Sequence, residues 1–334
     1  MRSVKSLEAS ADHRIRFLVR STEDPLEQDG PNVIHDLGKS PKRISSVYLY
    51  DKTGTELFEQ QCLTPEYYLR RVEAQLLRSH AAQIVEICGC IPMVELGAGT
   101  AEKTQALFAH YETRGRRCDY FPIDVDTETL SEAMYRLAPA FPGLFIQCLG
   151  TTFEKGLRAL PPCPRARLFL FLGSSLGNMR LPEIDEFLAQ LFDSAVPGDY
   201  LLLGADLEKD PALINRAYND RSGWGPRSTL NMLAHLNRRY DGDFELRNFR
   251  YRSQYNSRVK RNEVSIESLA DQNVTLRSLG FTVALAAAEL IDAEIMWKFD
   301  PDALGALLDR AGFSMLHRWL DPIYRYGLFL LRRK

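Results

Sequence analysis

Between residues 92 and 206, short apolar runs alternate with amphipathic segments, and this alternation constrains the fold more than any other feature of the chain. Residues 92–96, 120–123, 144–149, 167–172 and 199–206 read as strands. AEKTQALFAHY, TETLSEAMYRLA, FEKGLRAL and PEIDEFLAQLFDSA read as the helices between them. Parallel strands need crossover connections, and right-handed crossovers place helices on both faces of the sheet. The expected fold class is therefore α/β, a doubly wound sheet buried on both faces.

After Asp206 the alternation stops. LINRAYNDRS and STLNMLAHLNRRYDGDF read as helices, and RNEVSIESLADQNVTLRSL as strands of alternating polarity, an α+β pattern. The alternation resumes with PDALGALLDRAGF, a helix with a glycine stop signal. Two closing strands follow at 314–320 and 324–331, joined around Asp321-Pro322. The expected organisation is an N-terminal extension of little independent structure (1–43), a sheet domain (44–207 and 299–334) and an inserted α+β domain (208–298). Ahead of the sheet, DKTG (51–54) reads as a turn, and Thr64-Pro65-Glu66 as a helix start with Thr64 as its N-cap.

Composition excludes classes of function without naming one. With 45% hydrophobic residues in 334 there is ample material for a core. The 42 Lys+Arg against 44 Asp+Glu give a net charge of −2, which supports no nucleic-acid partner. No stretch approaches the roughly 18 apolar residues of a membrane span, and MRSVKSLEASADHRIRF lacks the apolar centre of an export signal. The six scattered cysteines read as reduced thiols, so a cytoplasmic location is expected.

The first strand runs into Gly97-Ala98-Gly99-Thr100, and the second ends at Asp124, where a ribose hydroxyl pair would be accepted. Glu95 precedes the turn inside the strand end. A dinucleotide fingerprint would carry a third glycine, but Ala101-Glu102 stands there, and a carboxylate at a helix start repels pyrophosphate. A nucleoside whose tail carries no phosphate fits better, and S-adenosylmethionine, with its amino-acid tail, is the expected cofactor. Other constellations are weaker. Cys88-Gly89-Cys90 has the wrong spacing for a zinc knuckle, and the six histidines show no ligand spacing, so no metal is expected. Gly173-Ser174-Ser175-Leu176-Gly177 matches a hydrolase nucleophile elbow, with His317 downstream. The basic run 247–261, six Arg/Lys interleaved with aromatics, reads as an RNA face or, more simply, as a solvated sheet edge.

Six blocks in order carry a resemblance: Tyr50-Asp51-x-x-Gly54-x-x-Leu57-Phe58; Pro65-Glu66-Tyr67-Tyr68-x-x-Arg71-x-Glu73; Glu95-Leu96-Gly97-x-Gly99-Thr100-x-Glu102-Lys103-Thr104; Phe171-Leu172-Gly173-x-x-x-Gly177-Asn178; Arg216-Ala217-Tyr218-x-Asp220; Glu294-x-x-x-Lys298-Phe299. Over residues 44–334 the chain resembles the amino-acid Nα-methyltransferases typified by the histidine-specific enzyme of ergothioneine biosynthesis. The resemblance implies a Rossmann-like class I methyltransferase sheet with a C-terminal antiparallel hairpin and an inserted substrate domain. It implies S-adenosylmethionine-dependent methylation of a free amino acid, L-histidine carried to its trimethylated betaine. Another aromatic or apolar amino acid, or a non-catalytic binding module, stays open.

The resemblance also assigns roles. Glu95, Gly97, Gly99, Lys103, Asp124, Thr152 and Phe153 would surround the cofactor. Asn178, with Gly173, would hold the substrate's amino and carboxylate groups; Tyr67 and Tyr218 would grip the carboxylate. Tyr50 would lie near the amine and share the catalytic role with Asn178. Glu294 would bind the imidazole. Two positions depart from the histidine pattern, Met296 replacing a small hydroxyl residue and Ile266 a methionine, and both favour apolar contact. Thr152 stands where an aspartate often reads the adenine amino group. The expected partner is a small-molecule amino-acid substrate, with no nucleic acid or membrane, and the protein is expected to be a monomer. Methyl transfer is an in-line displacement that needs a neutral amine held against the methyl carbon. A fixed carboxylate beside that amine would favour its protonated, unreactive form, so hydroxyls and an amide suit the site.

Overall fold

A computed structural model describes residues 12–20, 26 and 28–334. Residues 1–11, 21–25 and 27 of the expected N-terminal extension lie outside the described residues. In chain order the strands are β1 (Ile15–Arg20), β2 (Lys42–Arg43), β3 (Met93–Leu96), β4 (Cys118–Asp124), β5 (Leu144–Gly150), β6 (Leu168–Phe171) and β7 (Tyr200–Asp206). They continue as β8 (Phe249–Asn256), β9 (Arg261–Ser268), β10 (Gln272–Leu276), β11 (Phe281–Leu285), β12 (Leu290–Trp297), β13 (Phe313–Leu320) and β14 (Tyr326–Arg333).

The chain divides into two compact units. The first comprises residues 1–25, 71–207 and 299–334, and holds an eight-stranded sheet ordered β1-β5-β4-β3-β6-β7-β14-β13. Strands β1 to β7 of this sheet pair in parallel, while β14 pairs antiparallel to both β7 and β13. The central strands β3 and β6 are buried at every residue, as two-sided burial in a parallel sheet demands. This is the expected doubly wound sheet with its C-terminal hairpin. Strand order reverses at β3, with β4 on one side and β6 on the other, so the turns after β3 and β6 leave the same sheet edge as neighbours.

The second unit comprises residues 26–70 and 208–298. Its four-stranded sheet is ordered β2-β12-β9-β8, beside a β10-β11 hairpin. The helix Trp224–Tyr240 is amphipathic, burying Ser228, Thr229, Met232, Leu233 and Leu236.

Four expectations about the N-terminal region need correction. Residues 15–20 form a sheet strand instead of an unstructured extension, because β1 pairs in parallel with β5 from Ile15↔Ile146 to Arg20↔Gly150. Residues 44–70 belong with the second unit, not with the sheet domain. The cause is long-range pairing: β2 adds to β12, Tyr48 and Tyr240 hydroxyls meet at 3.0 Å, and Asn231 donates to Asp51 Oδ1 at 2.8 Å. Finally, DKTG starts a helix (Lys52–Cys62) because Asp51 accepts the Gly54 amide at 2.7 Å as an N-cap. The next helix begins at Leu69, with Thr64 instead closing a turn through Gln61 O and the Tyr67 amide.

Candidate active site

The first unit gathers the expected cofactor residues around two turns. Gly97 (φ +74°), Gly99 (φ +49°) and Ala101 (φ +51°) all take left-handed backbone, and the following helix starts at Gln105, four residues later than the sequence suggested. A Cβ on Gly99 would meet nothing within 4 Å, so the turn presents backbone to open space, as close approach of a ligand requires. The Gly97 amide donates to Ile123 O at 2.9 Å, and the Gly99 amide donates to Asp124 Oδ2 at 2.8 Å. Asp126 N donates to Asp124 Oδ1 at 3.0 Å. Burial raises the Asp124 carboxyl, and these amides pull it back down. Each carboxylate oxygen accepts about two hydrogen bonds, so acceptor sites remain on both for a pair of hydroxyls. Phe153 closes one side, its ring 3.6 Å from where a Gly97 Cβ would stand and edge-on to Phe171.

One of the expected cofactor residues turns inward and another caps a helix. Thr104 Oγ1 donates to both Glu95 oxygens (2.7 and 2.8 Å), and Tyr120 Oη donates to Glu95 Oε2. Burial pushes the Glu95 carboxyl up to about 7. Glu95 thus braces the turn from behind by anchoring the residue before the helix. Thr152 Oγ1 accepts the Lys155 amide at 3.4 Å as the cap of the helix Phe153–Arg158.

Sequence reasoning gave no role to Glu73, which the structure makes the hub of this unit. Its side chain is fully buried and its Oε1 accepts the Gly173 amide and the Tyr326 hydroxyl, both at 2.7 Å. Its Oε2 takes the Lys103 ammonium. A Cβ on Gly204 would stand 2.0 Å from Glu73 Oε1, so only glycine admits this approach. One carboxylate therefore fixes Lys103 after the first turn and Gly173 (φ +81°) at the second. The second turn continues through Ser174, whose Oγ accepts the Asp206 amide at 2.9 Å, into the short 3₁₀ turn Ser175–Asn178. Asn178 is exposed, and among the described residues no group is hydrogen-bonded to its amide. The sequence signals for Glu73 are its place in the Arg71-x-Glu73 block and its helical spacing from Leu69, Leu76 and Leu77, which puts a carboxylate on an apolar face.

The second unit gathers the expected substrate residues. Tyr50, 54% exposed, sets its ring edge-on to Phe58 (6.5 Å). Phe58 meets Tyr67 (5.9 Å), and Tyr67 meets Tyr218 (6.1 Å), all near perpendicular. Burial, with Tyr218 next in effect, holds the Tyr67 hydroxyl firmly protonated. Tyr251 donates to Tyr218 O at 2.6 Å, and buried Lys298 donates to Tyr218 Oη at 2.9 Å. On the sheet, Ile266 pairs with Tyr251, and Val264 with Glu294 and Ser253. Asn262 pairs with Met296 and Tyr255, so Ile266, Glu294 and Met296 share one face. Ile266 and Met296 are buried there. Burial pushes the Glu294 carboxyl up to about 7, and its charge in turn raises Tyr67 and Tyr251.

The competing constellations dissolve on inspection. Ser175 donates its hydroxyl to Leu172 O at 3.0 Å, and His317 packs against Trp319, 4.4 Å between ring centres. The basic run alternates along β8 onto the opposite sheet face, where Arg250 and Arg252 both chelate Glu267. Arg261 pairs with Glu263 and Lys260 with Glu208. Among the described residues no three His, Cys, Asp or Glu side chains are arranged to hold a metal ion, and no helix is long and apolar enough to cross a membrane.

A family model described as histidine-specific methyltransferase, SAM-dependent, matches residues 27–333. The chain is 37% identical to a histidine N-alpha-methyltransferase of Mycobacterium tuberculosis over 299 residues, 90% of this chain and 93% of the relative. It is 37% identical to a protein of the same name from Mycolicibacterium smegmatis over 297 residues, 89% of this chain and 92% of the relative. It is 24% identical to the 4-dimethylallyltryptophan N-methyltransferase ifgB of Penicillium roqueforti over 313 residues, covering 89% and 92%.

Proposed function

The chain belongs to the histidine-specific, S-adenosylmethionine-dependent methyltransferase family, and from that membership we propose how its residues methylate the α-amine of L-histidine to the trimethylated betaine. The observation that carries the assignment of roles is the hydroxyl cluster of the second unit, Tyr50, Tyr67 and Tyr218, with Glu294 on the adjoining sheet face.

The first unit suits the cofactor. The open Gly97–Gly99 turn accepts a flat nucleoside, Asp124 accepts its ribose hydroxyls, and Phe153 packs beside it. Lys103 offers an ammonium to the amino-acid tail's carboxylate. The cofactor, when bound, supplies a sulfonium-activated methyl group. Asn178 and Tyr50 orient the α-amine, Asn178 through its amide and Tyr50 through its hydroxyl. Neither is ionised, so neither draws the amine toward its protonated form. Tyr67 and Tyr218 donate to the substrate carboxylate. Glu294, poised near neutrality, accepts from the imidazole whether the ring is neutral or protonated.

Met296 and Ile266 line the same sheet face with apolar bulk, which favours a ring over a flexible polar chain. The six cysteines are all free thiols, which supports a reducing, cytoplasmic setting. A mass-spectrometric screen of the common amino acids with S-adenosylmethionine tests the reading. Histidine should gain three methyl groups ahead of every other amino acid. Preferential methylation of tryptophan or phenylalanine would reject the histidine assignment. Glu294→Ala should weaken histidine more than a bulky apolar amino acid, and equal loss for both would remove Glu294 from imidazole recognition.

A further inference from the structure

Lys298 is among the largest fully buried side chains of the chain, with 1% of its surface exposed, and nothing above gives it a task. A buried ammonium carries a desolvation penalty of several kcal/mol, so its position calls for an electrostatic reason. Its Nζ donates to Tyr218 Oη at 2.9 Å and lies 4.8 Å from the centre of that ring. A phenol that accepts from an ammonium becomes a stronger donor of its own proton, because the neighbouring positive charge polarises the O–H bond.

Strand geometry adds direction. Beyond the irregularity between Asp292 and Glu294, β12 runs regularly, and Lys298 N continues the ladder to Lys260 O at 2.8 Å. Residues 294, 296 and 298 therefore point to one face. Glu294 and Lys298 stand four residues apart, roughly 13 Å along the strand. The second half of β12 and the residue after it thus present an acid, apolar Met296 and an ammonium in turn along one face.

We propose that Lys298 is a positioning residue that acts through Tyr218: its charge makes Tyr218 Oη a charge-assisted donor to the α-carboxylate and fixes which end of the amino acid lies toward Lys298 and which toward Glu294. The inference rests on the proposed amino-acid substrate and deepens it. It predicts that the carboxylate's contribution to binding depends on Lys298, while side-chain recognition does not.

The test is calorimetric binding of L-histidine and of histamine, which keeps the imidazole and amine but lacks the carboxylate. Wild-type protein should bind histidine at least about tenfold more tightly than histamine, as a charged hydrogen bond supplies. In Lys298→Met the two affinities should converge, through weaker histidine binding alone, and Lys298→Arg should restore part of the gap. In a Tyr218→Phe background Lys298→Met should have little further effect, because both changes remove one interaction. S-adenosylhomocysteine binding and the melting temperature, measured on each variant, report folding. Equal weakening of both ligands in a folded variant, or an unchanged gap, overturns the proposal. Should Lys298→Met fail to fold, Lys298→Gln takes its place, and a full wild-type gap in it or in Tyr218→Phe overturns the proposal. Wild-type protein that binds neither ligand would instead reject the amino-acid substrate itself.

Discussion

The two units hold charge in opposite ways. In the first, carboxylates are buried and committed to the protein: Glu73 to Gly173, Tyr326 and Lys103, Glu95 to Thr104 and Tyr120, Asp124 to Gly99 and Asp126. They fix turns, and the turns offer backbone. At the expected substrate residues of the second, the polar groups are mostly neutral hydroxyls, and the charges beside them are Glu294 and Lys298, while Asp51 and Asp220 elsewhere in that unit hold backbone amides as in the first. The difference follows from the chemistry. A cofactor that must sit in one pose is served by a rigid polar scaffold. An amine that changes substitution with each methyl gained is better served by rotatable, uncharged donors.

That contrast can be broken at several points. The largest effect should come from Asn178→Ala, the exposed amide on the rigid side. Turnover should fall about 10- to 100-fold, the loss of a hydrogen bond to a charged group, with S-adenosylhomocysteine affinity unchanged by calorimetry. Unchanged turnover would remove Asn178 from the substrate. Next comes Glu73→Gln, which keeps shape but surrenders the charge that holds Lys103 and two neutral donors. Stability should fall by about 2 kcal/mol in chemical denaturation, and cofactor affinity should fall with it. A cofactor affinity equal to wild type would show that the hub braces the fold alone.

Glu294→Gln tests the other unit through pH. The folded-state carboxyl sits at about 7 against an ordinary 4.5, so the folded chain holds a proton that the unfolded chain releases. Stability must therefore fall as pH rises from about 4.5 to about 7, then level off. The Gln variant lacks that slope and should exceed wild type above pH 7 by about 1–3 kcal/mol. Parallel curves for the two proteins would refute the burial argument. Glu95 adds a slope of the same sign and remains in both proteins.

The smallest effect should come from Glu267→Gln on the outer sheet face. Arg250 and Arg252 hold this carboxyl down at about 2, so its stabilising contribution is present above 4.5 and lost as pH falls toward 2. The arginines are half exposed, and such pairs contribute little in water. Melting at neutral pH and turnover should barely move; a large loss of turnover would mean that the outer face communicates with the site.

Much of the first unit was legible because its signals are local. Glycines after strands, apolar runs and the closing hairpin each announce themselves within ten residues or so. The missing pieces depend on distant partners. IRFLVR becomes a strand only by pairing with β5 across more than a hundred residues, and residues 26–70 join the second unit through a two-residue strand and a few hydrogen bonds. Glu73 stands at helical spacing from Leu69, Leu76 and Leu77, on the apolar face of its helix, but the groups that compensate a carboxylate there, Gly173, Tyr326 and Lys103, arrive from three other segments. A block contains Glu95, but that its side chain faces inward is decided by partners such as Tyr120, which the blocks do not contain.

Strand β14 lies between β7 and β13, yet follows β7 only after residues 207–325 have been synthesised. Throughout that interval the growing polypeptide carries Leu201, Leu202, Leu203 and Ala205 on an unpaired edge. Such an edge invites pairing with a neighbouring nascent chain. Overexpression at high translation rates should therefore yield inclusion bodies whose amount falls when a chaperone that shields extended apolar segments is supplied. Variants that weaken β14 should aggregate during synthesis more than their equilibrium stability would suggest.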